Sequence, residues 1–103
     1  MAQIYQKHAE EMGVEFKIKN DGNKRPFGST DMGNVSHVKP SIHPMFNIGT
    51  DAALHTHRFR EAAGFREAHE RTLLAAKAMA FTAIDILSDA EIMKDVDNDF
   101  TQN

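Results

Sequence analysis

Residues 66–87, REAHERTLLAAKAMAFTAIDIL, decide how the rest of the chain is read. Apolar residues recur at Leu73, Ala76, Ala80, Ala83, Ile84 and Leu87, the spacing of one face of an α-helix. Six alanines between 66 and 88 raise helix propensity and allow close packing against a neighbouring layer. The pattern predicts one long helix with that stripe turned toward a sheet. Working outward, Ser88 and Glu91 have the spacing of a capping box that opens a further short helix through about Val96. Upstream, residues 42–48, IHPMFNI, form an apolar run between Pro40 and Gly49 and read as a buried strand. Pro44 confines its first part to an edge position. Val14, Phe16 and Ile18 alternate with Glu15 and Lys17, the period of a half-buried strand, and NDGNKRP at 20–26 is a turn cluster. Residues 2–12 predict a helix with Ile4, Tyr5, His8 and Met12 on one stripe and Gly13 as its left-handed stop. The sum is α/β: short strands with a long C-terminal Ala-rich helix.

The chain has 103 residues, which is room for one domain at most. Hydrophobic residues at 41% and charged residues at 26% describe a globular chain, not a disordered one. Its formal net charge of −3 argues against non-specific nucleic-acid binding. No apolar run reaches the roughly 18 residues of a membrane span, and the first residues lack the pattern of a secretory signal. Zero cysteines exclude a disulfide scaffold, thiolate zinc sites and a cysteine nucleophile. The expected compartment is the cytoplasm. Acidic residues concentrate after residue 88, so 98–103 reads as an acidic, polar tail on a domain of residues 1–97. Two strands make a marginal sheet. The chain is therefore expected either to form a homo-oligomer or to be a piece of something larger.

Residues 26–50, PFGSTDMGNVSHVKPSIHPMFNIGT, hold three glycines, three prolines and only two charged residues, Asp31 and Lys39. Low charge with high Gly and Pro content describes a shaped loop of the kind that lines sites. The plainer reading makes Thr30 or Asp31 the cap of a short helix at 32–38. Five of the six histidines fall between 37 and 69: His37, His43, His55, His57 and His69. His55-Thr56-His57 could offer two imidazoles to a metal only where the chain is extended. Surface or satisfied core histidines are the alternative. Glu10-Glu11 diverge by about 100° on a helix and read as a solvated face. No GxSxG, phosphate-cradling GxxxxGK[ST], HExxH or GxGxxG occurs.

Three segments taken together carry a resemblance: GSTDMGNVSHVKPSIHPMFNIGT, then AALHTHRFREAAG, then ERTLLAAKAMAFTAIDIL. In order and spacing they resemble the C-terminal part of the catalytic domain of the co-catalytic zinc metallopeptidase and amidohydrolase family. That family includes aminoacylases, glutamate-releasing carboxypeptidases, p-aminobenzoyl-glutamate hydrolases and related dipeptidases. The resemblance runs from about Ile4 to about Ile92. It implies a partial zinc-peptidase-like α/β catalytic domain. It further implies that His55, followed by Phe59, is a metal ligand, and that Gly28, Ser29, Thr30 and Asp31 form a loop beside the substrate cleft. The metal would be zinc, manganese or cobalt in the parent enzymes, and the substrate a small N-acyl amino acid or dipeptide. The family's bridging carboxylate, its glutamate base and its other ligands have no counterpart here, and Glu10-Glu11 stands in the wrong context for that pair.

A catalytic zinc wants about three protein ligands and an open position. A two-metal site needs more, with a bridging carboxylate. The expectation is a fragment of a metal-dependent amidohydrolase or dipeptidase that binds no catalytic metal and is inactive alone. The alternative is a non-enzymatic, oligomerising interaction module that keeps part of the fold.

Overall fold

The computed structural model describes residues 1–16 and 30–102. Five helices follow in order: α1 (Ala2–Glu11), α2 (Met32–Val38), α3 (His57–Ala63), α4 (Arg66–Ser88) and α5 (Ala90–Gln102). No strand occurs among the described residues, so the α/β expectation is overturned and the described chain is all-α. The reason is that alternation marks the two sides of an extended segment but does not supply a ladder partner. Residues 14–16 and 42–48 find none among the described residues. Val14 and Ile42 instead pack against a cluster built on helices. Ile18, the 20–26 turn cluster, Gly28 and Ser29 lie outside the described residues.

The α1 and α4 helices arise where their periodicity places them. Gly13 takes φ +93° just past α1, a conformation that glycine adopts without steric cost. The 23 residues of α4 span about 34 Å. At its end the Ser88 hydroxyl donates back to the Ile84 carbonyl, so Ser88 closes α4 rather than opening α5. Asp89 opens α5 instead, its Oδ1 accepting from the Glu91 and Ile92 amides at 3.0 and 3.4 Å. The last helix then continues past Val96 to Gln102.

The core is the crossing of α1 on α4. Tyr5, Ala9 and Ala78 form its centre, with Met12, Val14 and Ile42 around them, and Ala78 is fully buried. Burial pushes the Tyr5 phenol above its ordinary pKa of 10.0. One turn away, His8 Nε2 meets Asp85 Oδ2 at 2.6 Å, and the His8 ring lies 5.4 Å from that of Phe81. Glu11 stands 3.7 Å from the other ring nitrogen. The buried face of α4 is Ala68, Ala75, Ala78 and Thr82, whose hydroxyl donates to the Ala78 carbonyl. That face is roughly opposite the stripe of Leu73, Ala76, Ala80, Ala83, Ile84 and Leu87, which points to solvent. The six alanines make both faces apolar, and the face of smaller side chains admits α1 closely. No large side chain is fully buried among the described residues. No described helix is long and apolar enough to cross a membrane.

Two expectations test this packing. Ala78→Leu should overpack the crossing and lower stability by about 1–3 kcal/mol, whereas Leu73→Ala, on the face left open within one chain, should change the stability of the monomeric chain, measured in dilute solution, by less than about 0.5 kcal/mol. Thermal unfolding followed by circular dichroism measures both, and the reverse ranking would invert the face assignment. The fold favours neutral Tyr5, so its contribution is complete below the unfolded pKa of 10.0 and is lost as pH rises above it. Tyr5→Phe should flatten that alkaline fall in denaturant titrations.

Candidate functional site

Residues 47–56 form a loop in which side chains take over the turn hydrogen bonds. Asn47 Oδ1 accepts from the Gly49 and Thr50 amides at 2.6 and 3.1 Å, and Thr50 Oγ1 accepts from the Ala52 amide at 3.1 Å. These are Asx- and Thr-type turns, in which a short side chain stands in for a carbonyl. Thr56 then donates to the Ala53 carbonyl at 2.7 Å and caps α3 by accepting from the Phe59 amide at 3.2 Å. The loop is fastened to α4. Arg71 pairs with Glu67 at 2.9 Å and also donates to the Asn47 carbonyl at 3.5 Å. Gly49 has φ +101°, and a Cβ there would sit 2.8 Å from the Glu67 carboxyl carbon. Glycine is required at this point by its dihedral, whereas the Glu67 carboxylate is the exposed end of a flexible side chain that can move aside.

His55 lies at the end of this loop, one residue before the Thr56 cap, with φ +65°. It is exposed, and no described residue hydrogen-bonds its ring. A left-handed backbone is uncommon for a residue with a Cβ, although histidine tolerates it better than most. His57 is the first residue of α3, so the two rings of the pair do not share an extended strand. Thr30 and Asp31 stand at the start of α2, where Thr30 Oγ1 accepts from the Met32 amide at 3.4 Å. Both are exposed, and Asp31 makes no side-chain cap bond.

The other histidines are dispersed. His37 lines a cleft of about 640 Å³ with Met1, Ser41, Val96 and Phe100, and His43 lines one of about 330 Å³ with Tyr5 and Phe16. A third cleft, about 810 Å³, runs between α1 and α4 past Phe16, Phe46, Arg71 and Leu74. None of these three is lined by Thr30, Asp31 or His55. The described residues contain no group of three or more His, Asp or Glu that could hold a metal ion. A zinc site needs about three donors. The donors present therefore do not fit a catalytic metal centre on their own, and no hydrolytic step can be derived through one.

The Glu67–Arg71 clamp on the Asn47 turn was not foreseen. Its i, i+4 spacing is readable as an ion pair, but nothing local announces a reach of 24 residues back along the chain.

Comparison with known proteins first defines a class: the chain is similar, over more than nine-tenths of its length, to dipeptidases. In particular, it is 44% identical over 96 residues to a Xaa-Arg dipeptidase of Homo sapiens, and 42% identical over 100 residues to a Xaa-Arg dipeptidase of Mus musculus. These matches take in 93% and 97% of this chain but only 22% and 23% of the relatives. The chain thus corresponds to a segment somewhat longer than a fifth of a dipeptidase. No family model matches it, and neither does any solved structure. The dipeptidase part of the resemblance holds at this level.

The strain at His55 has a measurable consequence. Relative to His55→Ala, the variant His55→Gly should be neutral or stabilising by up to about 1 kcal/mol, and His55→Val destabilising by about 1–2 kcal/mol. Urea unfolding midpoints give the order; equal effects for Gly and Val would show that the left-handed backbone is not held.

Proposed function

We propose that these residues serve as part of the catalytic domain of a metal-dependent amidohydrolase or dipeptidase, cleaving the amide bond of N-acyl amino acids or dipeptides. In this reading His55 is one metal ligand, and Thr30 and Asp31, with Gly28 and Ser29, border the substrate cleft. The remaining ligands and the general base come from outside this chain, and so does the metal chemistry of zinc, manganese or cobalt. The observation that carries the reading is the 42–44% identity to two Xaa-Arg dipeptidases across 93–97% of the chain. The exposed His55 ring leaves its nitrogens open to a metal, but among the described residues it has no hydrogen-bonded acceptor of the kind that orients a ligating imidazole. We also propose that the chain by itself self-associates, as the open apolar face of α4 calls for cover.

Replacing the matching segment of the human relative with this chain tests the assignment. The chimaera should hydrolyse an Xaa-Arg dipeptide, and His55→Ala within it should abolish turnover, with its metal content lowered and its fold intact. A His55→Ala chimaera with full activity would remove His55 from the ligand set. The isolated chain, supplied with zinc, manganese or cobalt, should show no turnover approaching about 1 s⁻¹ on dipeptides or acyl-amino acids, the low end of ordinary enzymes. The described residues hold no group of three or more His, Asp or Glu that could bind the metal on which the nucleophile forms.

A further inference from the structure

α4 is apolar around most of its circumference. At about 100° per residue, one side carries Ala75, Ala78 and Thr82, and the reverse side carries Leu73, Ala76, Ala80, Ala83 and Leu87. Met79 falls between the two, and Ile84 borders the reverse side. Arg66, Glu70, Lys77 and Ser88 share one narrow arc of about 40°. Most other polar groups of the helix are engaged within the chain. Glu67 and Arg71 hold each other and the Asn47 turn, Asp85 meets His8, and the hydroxyls of Thr72 and Thr82 donate to carbonyls four residues back. His69, near the start of the helix, is the one ionisable group on the reverse side. A helix apolar on nearly all sides is the pattern of one buried inside a larger protein. α1, α3 and α5 all touch α4, yet the reverse side stays open: Leu73 is 60% exposed, Met79 55%, Ile84 57% and Leu87 78%.

We propose that this open face is an internal surface of a dipeptidase-like enzyme, covered by the part of such a polypeptide that corresponds to the rest of the relatives. The proposal rests on the dipeptidase reading above and adds to it the surface by which this segment joins the remainder. Length selects this occupant. The two matches take in 93% and 97% of this chain, so α4, well inside both ends, lies within them. They span only 22% and 23% of the relatives, so more than three quarters of each relative lies outside the match and is available as cover. The stretch from 42 to 48 is incomplete in the same way. It has no ladder partner among the described residues, and its Met45 and Phe46 are half-exposed. One remainder completes both surfaces. The chemistry of the cover follows from the face: apolar side chains that close on Ala76, Ala80 and Ala83 between Leu73 and Leu87, since a charge set there would be buried without a partner.

The chimaera of the human relative tests this at a single position. Ala80→Cys, and Glu70→Cys as a reference on the polar arc, are introduced separately into the chimaera and into the isolated chain, which has no cysteine of its own. Alkylation is followed by the mass of the tryptic peptide that carries the new thiol, 78–94 or 67–71. In the dilute isolated chain the two thiols should react at similar rates. In the chimaera, position 80 should react at least about tenfold more slowly than position 70. Equal rates in an active chimaera overturn the proposal and leave the dipeptidase reading standing. An inactive chimaera that still protects position 80 supports the packing and counts against the reading instead. An inactive chimaera that protects neither position removes both. Protection confined to a dimeric fraction, and lost from the monomer, overturns the proposal and gives the face to a second copy. Leu73→Glu provides an independent measurement. It should lower the thermal midpoint of the chimaera and leave that of the dilute isolated chain unchanged; an unchanged midpoint in the chimaera overturns the proposal.

Discussion

The contact of Ala9 and Tyr5 with Ala78 is the constraint on which the described structure depends. It joins segments from opposite ends of the chain, and the His8–Asp85 pair beside it closes a separation of 77 residues. Closing so long a loop costs entropy that local helix formation cannot offset. The contact compensates through small side chains, which let two backbones approach, and through a short hydrogen bond that fixes the register of one helix on the other. Ile42 and Val14 then have a surface to lie on. Without α1 in place, the segment from 42 to 48 has neither a ladder nor an apolar floor.

A core of alanines has a consequence for everything outside it. Apolar burial contributes in proportion to area, about 25 cal/mol per Å², and Ala68, Ala75 and Ala78 offer little of it. The larger apolar groups, Phe65, Leu73, Met79, Ile84 and Leu87, remain more than half exposed. Such a distribution suits a layer that is covered from two sides. It also fits the similarity to dipeptidases more than four times as long, in which a matching helix has more protein available to pack against.

Periodicity made the long helices readable. α4 and α1 could be placed from apolar spacing and from Gly13, and the short α2 follows from Thr30 and Asp31 at the start of 32–38. The face of α4 was not readable in the same way. Leu73, Ile84 and Leu87 outweigh Ala75 and Ala78 on any hydrophobicity count, yet small size and the partner for Asp85 decided which side received α1. The strands failed for a related reason. Alternation in Val14–Phe16 is a property of one segment, whereas a strand is a relation between two. Of the candidate site, His55 is marked by the resemblance alone, while the local pattern offers Thr30 or Asp31 as the α2 cap; Asp31 makes no cap bond, and Thr30 closes only a short turn onto the Met32 amide. The clamp of Arg71 on the Asn47 turn is tertiary and leaves no local trace.

The backbone at His55 connects the fold to the proposed chemistry. A left-handed conformation at a non-glycine residue costs on the order of 1 kcal/mol and persists where its surroundings over-determine it. Here they do: the Asn47 turn, the close approach of Gly49 to Glu67 and the Thr56 cap leave the loop few alternatives. The outcome is one exposed imidazole carried on a backbone whose conformation the loop restricts. A hydrolytic metal centre draws its power from several donors and a base held together, so one placed histidine is a component and not a site. The same incompleteness recurs in the helix that anchors the loop. The Glu67 and Arg71 that fasten Asn47 belong to α4, whose outer face is open. Glu67 and Arg71 flank the Ala68–Ala75 side of α4, so the frame that holds the loop belongs to the packed side of that helix and not to its open face.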